Sequence, residues 1–179
     1  MKSLIRFFLI LLVVCAAIGV TTSCSEDNNC SMGGRDMING SLFRVEPVSN
    51  KTVNDTLDSL TVTALGTDSI IINNMKKVHT LALPLRFTEE STVLVFHYDF
   101  KRRPGYADTV YINHRNTPYF QSMECGYTMK QAIQHIRVGN GKVIGNVKMD
   151  SIKVINPNAN INETQNLQLF FRFRDRTIH

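Results

Sequence analysis

The chain has 179 residues, 43% of them hydrophobic and 20% charged, and a formal net charge of +5 at pH 7. This length suits one domain with a substantial buried core. The positive balance is weak and does not favour nucleic acid as a partner. The N-terminal segment described next contains Lys2 and Arg6 and no acid, so its removal lowers the net charge to +3.

Residues 1–23 have the organisation of a secretory signal. Lys2 and Arg6 precede an uncharged apolar run from Phe7 to Val20. The run is shorter than the roughly 20 residues that a membrane-spanning helix needs, and small residues follow it, as at a cleavage site. A buried N-terminal helix is the alternative, but no polar residue divides the run into two faces. We therefore predict a cleaved signal at 1–23, a flexible tether at 24–40 and a domain at 41–179.

The residues before Cys24 predict a lipid anchor. The run VTTSC, which ends at Cys24, resembles the lipobox of bacterial lipoproteins, in which a small residue precedes the cysteine that receives a diacylglycerol. Cys15 fits less well, because the branched Val14 stands where the motif has a small residue. Several acyl chains hold a protein firmly to a bilayer, so we expect Cys24 to anchor the mature chain. The alternative is ordinary signal cleavage, with Cys24 left to pair with another cysteine.

The residues after Cys24 predict the location of the anchor. Glu26 and Asp27 follow it closely, which resembles the signal that exports lipoproteins of Bacteroidota to the outer face of the outer membrane. We expect an outer-membrane lipoprotein of the cell envelope. Two acids make a short version of that signal, so the surface face and the periplasmic face both remain open.

Three cysteines remain after the predicted cleavage: Cys24, Cys30 and Cys125. Once Cys24 is lipidated, two thiols are left in an oxidising compartment, and the simplest arrangement is a Cys30–Cys125 disulfide. A catalytic thiol at Cys125 is the alternative, and it would need a histidine base at hydrogen-bonding distance.

The rest of the chain favours an all-β domain. Short runs rich in Val, Ile, Thr and Phe follow one another, separated by Asn, Asp, Gly and Pro. The clearest runs are SLFRVEP, SLTVTAL, SIIIN, HTLALPL, TVLVFHYDF, TVYINH, KVIGNV, SIKVIN and LQLFFRF. No helices separate them, so we predict an antiparallel β-sandwich, immunoglobulin-like or similar.

One segment fits two structures. In Tyr127 to Arg137, the apolar residues Met129, Ala132, Ile133 and Ile136 have helical spacing. The segment is either a short helix at one end of the sheet or a strand with an obscured pattern, and eleven residues do not decide between them.

An Asp–hydroxyl–aliphatic triplet occurs five times. Asp can accept a hydrogen bond from the backbone two residues on, so the triplets fit turns that lead into strands. They also resemble the O-glycosylation acceptor of Bacteroidota envelope proteins, where surface turns tolerate a bulky sugar. The candidate acceptors are Thr56, Ser59, Ser69, Thr109 and Ser151.

No spacing typical of a catalytic, cofactor or metal site is present. The five histidines lack HxH and HExxH patterns, and the GxSxG, P-loop and dinucleotide-binding motifs are absent. His97 and Asp99 could share one strand face, which is more often solvated than metal-binding. We therefore predict no catalytic residue, no metal, no cofactor and no enzymatic activity. Tyr119 and Phe120 follow Pro118 in a predicted loop and could bind a glycan by stacking.

Several longer motifs identify a family. The chain contains DSIIINN followed by LALPL, then DTVYINHRNTPYFQSMECGY, DSIKVIN and a closing LQLFFRF. Together with the cysteine-bearing tether, this pattern resembles an uncharacterised lipoprotein family of Bacteroidota. The resemblance implies a β-rich envelope domain, supports the Cys30–Cys125 pairing and implies no activity. The expected function is a lipid-anchored envelope protein that acts through protein or surface contacts. The alternative is a glycan-binding accessory lipoprotein.

Overall fold

The computed structural model of the chain describes residues 35–46, 48–67, 69–98, 107–123, 125–139 and 148–171. The predicted signal, Cys24, Cys30, most of the predicted tether and the predicted strand KVIGNV lie outside these residues. Within them the protein is all-β, and no helix has the length and hydropathy that a membrane span requires.

The described residues form ten strands. They are β1 (Ile38–Val45), β2 (Thr52–Asn54), β3 (Leu57–Ala64), β4 (Ile70–Val78), β5 (Thr80–Leu83), β6 (Ser91–His97), β7 (Ala107–Ser122), β8 (Gly126–Val138), β9 (Met149–Val154) and β10 (Gln165–Phe171).

The strands form two five-stranded sheets. Sheet 1 has the order β2-β1-β10-β9, with β5 beside β1, and sheet 2 has the order β4-β3-β6-β7-β8. Within the described parts of the chain, β1 and β10 make the one parallel pair, and the other pairs are antiparallel. The prediction of a β-sandwich is confirmed, with this parallel pair as an unpredicted feature.

The core lies between the two sheets. Alternate residues of each strand face it, as the period of two in a strand requires. Sheet 1 contributes Leu42 and Leu169, and sheet 2 contributes Phe96 and Ile112, all of them fully buried in one apolar cluster. Gly40 lets β1 approach β10 closely, because a Cβ atom there would stand 2.6 Å from the Leu169 Cδ1 atom.

The structure changes the sequence prediction at β8 and at β1. Tyr127 to Arg137 lies within β8, so the helix interpretation is wrong and the strand interpretation is right. β1 begins at Ile38, whose side chain is fully buried, so residues 38–40 of the predicted tether belong to the first strand.

Candidate interaction surface

The hairpin of β7 and β8 extends beyond the rest of sheet 2. β6 pairs with β7 only from Ala107 to Asn113, whereas β8 stays paired with β7 as far as Ser122. We call residues 117–122 of β7 and 126–130 of β8 the outer ribbon. Its turn includes Gly126 at φ +68°, a conformation that favours glycine. The Cys125 backbone N–H donates to the Ser122 hydroxyl oxygen in the same turn.

One face of the outer ribbon continues the core-facing side of sheet 2. His114 and Ile133 are buried on this face, and the same alternation then brings Pro118 opposite Met129 and Phe120 opposite Tyr127. The outer pairs have no sheet above them among the described residues. Phe120 is 50% exposed and Tyr127 is 77% exposed. The two rings meet edge to face with centroids 5.5 Å apart. The ribbon thus carries core-type side chains into solvent.

The opposite face of the outer ribbon is hydrophilic. Thr117, Tyr119, Thr128 and Lys130 alternate with the apolar positions. The Lys130 ammonium lies 4.7 Å from the centroid of the Tyr119 ring, a cation–π contact. The ribbon is therefore amphipathic, and adjacent exposed apolar side chains bordered by polar ones are typical of interaction sites.

A hydrogen-bond network fixes the base of the ribbon. Asn116 Nδ2 donates to the backbone carbonyls of Arg86, Phe87 and Glu89 at 2.9–3.1 Å. Gln131 Nε2 donates to the Arg86 carbonyl and to Asn116 Oδ1, both at 2.8 Å. The loop between β5 and β6 is thereby attached to both strands of the hairpin, which orients the ribbon.

The same network holds His114 in one tautomer. The amide of Asn116 is oriented by the carbonyls it binds, so its Oδ1 accepts from His114 Nδ1 at 3.0 Å. His114 Nε2 then accepts from the Thr92 hydroxyl at 2.9 Å, and that hydroxyl accepts from the Arg86 backbone N–H. Burial lowers the pKa of His114, against the opposing effects of the Asn116 hydrogen bond and the Glu90 charge.

The Thr92–His114–Asn116 chain has the order of a hydroxyl–imidazole–amide triad but not the accessibility of one. Thr92 is 3% exposed and His114 is 1% exposed. A nucleophile must reach its substrate, and here the hydroxyl is enclosed by the sheet and the β5–β6 loop. The arrangement supports the fold of the hairpin.

Sheet 1 carries a separate groove of about 440 Å³. Its lining combines polar side chains, such as Arg35, Asn39 and Glu163, with apolar ones, such as Leu81 and Ile161. None of its lining side chains is aromatic, so it offers no stacking platform for a sugar ring. In the described part of the chain, no three His, Cys, Asp or Glu side chains cluster in a way that could hold a metal ion.

The predicted glycosylation acceptors differ in accessibility. Ser69 and Ser151 are exposed, whereas Thr56, Ser59 and Thr109 are half-buried. Their modification stays a prediction, as do the lipidation of Cys24 and the Cys30–Cys125 disulfide.

Two of the triplet aspartates have roles that the sequence analysis missed. Asp55 is buried and pairs with Arg44, with 3.1 Å between Oδ1 and Nη1. Asp108 is buried inside β7, where its Oδ2 accepts from the Tyr98 hydroxyl and the Met149 backbone N–H, both at 2.8 Å. The prediction of a turn at Asp108 is therefore wrong.

Comparison with known proteins shows which family the chain belongs to. It finds no relative of known activity. No match was found among curated proteins or among solved structures. A family model described as a family of unknown function, DUF6452, matches residues 59–171, which include the whole outer ribbon. The chain belongs to this family of unknown function, DUF6452.

Proposed function

We propose that the protein is a lipid-anchored cell-envelope protein without enzymatic activity, and that it presents the outer ribbon to a partner protein. The observation that carries the proposal is the exposed apolar face formed by Phe120 and Tyr127. Such a face is unfavourable in water unless another surface covers it. The predicted signal and Cys24 supply the anchor and the compartment.

The construction of the ribbon supports this role. The network at its base holds both strands, so the exposed rings are presented on a fixed element. A pre-oriented surface loses less conformational entropy on binding than a mobile one. Phe120 and Tyr127 also combine a large apolar area with few rotatable bonds, as residues at the centre of protein interfaces often do.

The anchor is tested by metabolic labelling of native cells with an alkyne fatty acid. The protein is expected to take up the label, and the Cys24→Ala variant is expected to lose it. A Cys15→Ala variant is the matched control, because it removes the other cysteine of the signal region and leaves the lipobox at Cys24 intact. Label retained by Cys24→Ala would contradict the anchor.

The interaction role is tested by site-specific photo-crosslinking in the same cells. A photoreactive residue at Tyr127 is expected to give a discrete adduct, and Phe120→Ala in the same chain is expected to reduce it. A photoreactive residue at the exposed Lys153 of β9 is the matched control. Equal adducts at both positions would contradict a specific site on the ribbon.

Glycan binding by the same rings is the second candidate. The exposure of Tyr127 favours it, because sugar rings stack on accessible aromatic faces. The edge-to-face contact of Phe120 and Tyr127 leaves no single flat platform, which makes a protein partner the better fit. A glycan array probed with the purified protein and with the Tyr127→Ala variant tests this function. A glycan that binds the wild-type protein and not the variant would support it.

A further inference from the structure

The outer edge of β8 carries unpaired backbone groups. Gln131 accepts a hydrogen bond from the Ala159 N–H and Ile133 donates one to the Pro157 carbonyl, both on the edge away from β7. Backbone groups alternate in direction along an antiparallel strand, and the β7–β8 register is regular between Tyr127 and Ile133. Tyr127 and Met129 therefore point their N–H and C=O groups to that same edge. None of the described residues pairs with them.

Other edges of sheet 2 are protected. On the ribbon's β7 edge, Pro118 lies opposite Met129 and has no N–H to offer an added strand. On β4, the register is interrupted and Asn74 and Lys77 have positive φ angles of 43° and 50°. Bulges and prolines are the usual means of preventing strand addition. The β8 edge at Tyr127 and Met129 has neither.

The molecule already uses the adjoining part of this edge to pair with the segment between β9 and β10. Asn158 makes an antiparallel bridge to Ala132, and the residues on either side of it supply the two hydrogen bonds described above. The unpaired groups of Met129 and Tyr127 continue the same edge toward the tip of the ribbon. An added strand would thus extend an existing pairing.

We propose that Tyr127 and Met129 bind an extended strand of a partner protein by main-chain hydrogen bonds, the mode known as β-strand addition. The inference rests on the interaction role proposed for the outer ribbon. Side chains of the added strand alternate between the two faces, so every second residue lies beside the apolar face of Phe120, Tyr127 and Met129. The residues between them lie beside Thr128 and Lys130 and are polar. The partner segment is therefore an alternating apolar and polar strand.

The variant that tests this pairing is Met129→Pro. It removes an N–H that makes no hydrogen bond within the described structure, so the β7–β8 ladder is retained. Met129→Ala is the matched control, because it shortens the same side chain and keeps the N–H. Tyr127→Pro is a second variant of the same kind, used if Met129→Pro does not fold.

The binding probe is a set of fluorescent seven-residue peptides with Val, Ile or Phe at alternate positions and Ser, Thr or Glu between them. Peptides of the same composition in scrambled order are the reference. The full chain is expected to bind the alternating set, with affinity lowered about tenfold or more by Met129→Pro and only slightly by Met129→Ala. Amide hydrogen exchange at Tyr127 and Met129 is expected to slow when the peptide binds.

Each contrary result identifies what is wrong. Loss of binding in Tyr127→Ala but not in Met129→Pro overturns strand addition and leaves the interaction role of the ribbon intact. Equal binding of alternating and scrambled peptides overturns the proposed partner. Slow exchange at both amides without peptide shows that the chain's own residues fill the edge. Binding to anionic lipid vesicles with no binding to peptide identifies a membrane surface in place of a protein strand.

Discussion

The Thr92 hydroxyl oxygen lies 2.9 Å from His114 Nε2, within the buried network from which the ribbon extends. Because His114 Nδ1 carries its proton toward Asn116 Oδ1, Nε2 of the neutral ring is an acceptor, and the Thr92 hydroxyl donates to it. A protonated His114 would turn Nε2 into a donor, so the Thr92 hydroxyl proton would lose its acceptor, and it would place a charge in a buried site. The network is therefore built for the neutral imidazole.

Protein stability should fall on acidification through His114. Burial lowers its pKa in the folded protein below the ordinary value of 6.5. The unfolded chain then holds more protons than the folded chain in the window just below 6.5, so the free energy of unfolding decreases as the pH falls through that window. Urea unfolding from about pH 8 to about pH 5 measures the slope. His114→Gln should reduce this dependence of stability on pH. An unchanged slope would show that another group causes the pH dependence.

Asp108→Ala should destabilise the fold. It removes the acceptor of the Met149 N–H and the Tyr98 hydroxyl inside the sandwich, and loss of a buried acceptor costs about 2 kcal/mol. Asp58→Ala is the matched control, because Asp58 belongs to the same kind of triplet but is exposed, and it should change stability by less than about 0.5 kcal/mol. Chemical denaturation measures both, and equal effects would refute the assigned role.

Gly40→Ala should destabilise the contact between β1 and β10. The new methyl group would stand 2.6 Å from Leu169 Cδ1 and 3.3 Å from Leu81 Cδ1, and overpacking of this kind costs about 1–3 kcal/mol. The neighbouring Ser41→Ala adds no atoms and is the control. A thermal midpoint unchanged by Gly40→Ala would show that the two leucines can move aside.

Tyr127→Ala should separate binding from stability. The ring is 77% exposed, so its removal should change the free energy of unfolding by less than about 0.5 kcal/mol while abolishing partner crosslinking. Phe96→Ala, in the fully buried core, should cost about 3–5 kcal/mol. A Tyr127→Ala protein that is strongly destabilised would assign the ring to the fold.

O-glycosylation, if the triplets are acceptors, should follow exposure. Ser69 and Ser151 are exposed, whereas Thr109 lies half-buried in β7 between β6 and β8. A transferase needs access to the hydroxyl, so mass spectrometry of peptides from native cells should find sugar at Ser69 or Ser151 before Thr109. Modification confined to Thr109 would contradict this order.

The all-β fold could be predicted because alternation and turn residues are local properties. The strand structure of Tyr127–Arg137 could not be predicted, and the pairing of β8 with β7 explains why. Ile133 pairs with His114 and His135 pairs with Asn113, so Gln134 is an extra residue, a β-bulge. The bulge brings Ile133 and Ile136 to the same face with a spacing of three, which imitates a helix.

The site was only partly predictable. The loop predicted at Tyr119 and Phe120 after Pro118 is wrong. Both residues belong to β7, because the proline nitrogen points to an open edge and breaks no pairing. The burial of Asp55 and Asp108 depends on Arg44, Tyr98 and Met149, whose proximity arises only from tertiary pairing. No local pattern reports such partners.

The parallel pairing of β1 with β10 has a consequence for biogenesis. The residue partners Asn39 and Gln165 are separated by most of the domain's sequence, and contacts between distant segments form slowly. The middle of sheet 1 cannot assemble until β10 has been synthesised and has reached β1. For the exported chain that we propose, this delay would keep the domain unfolded while it crosses the membrane.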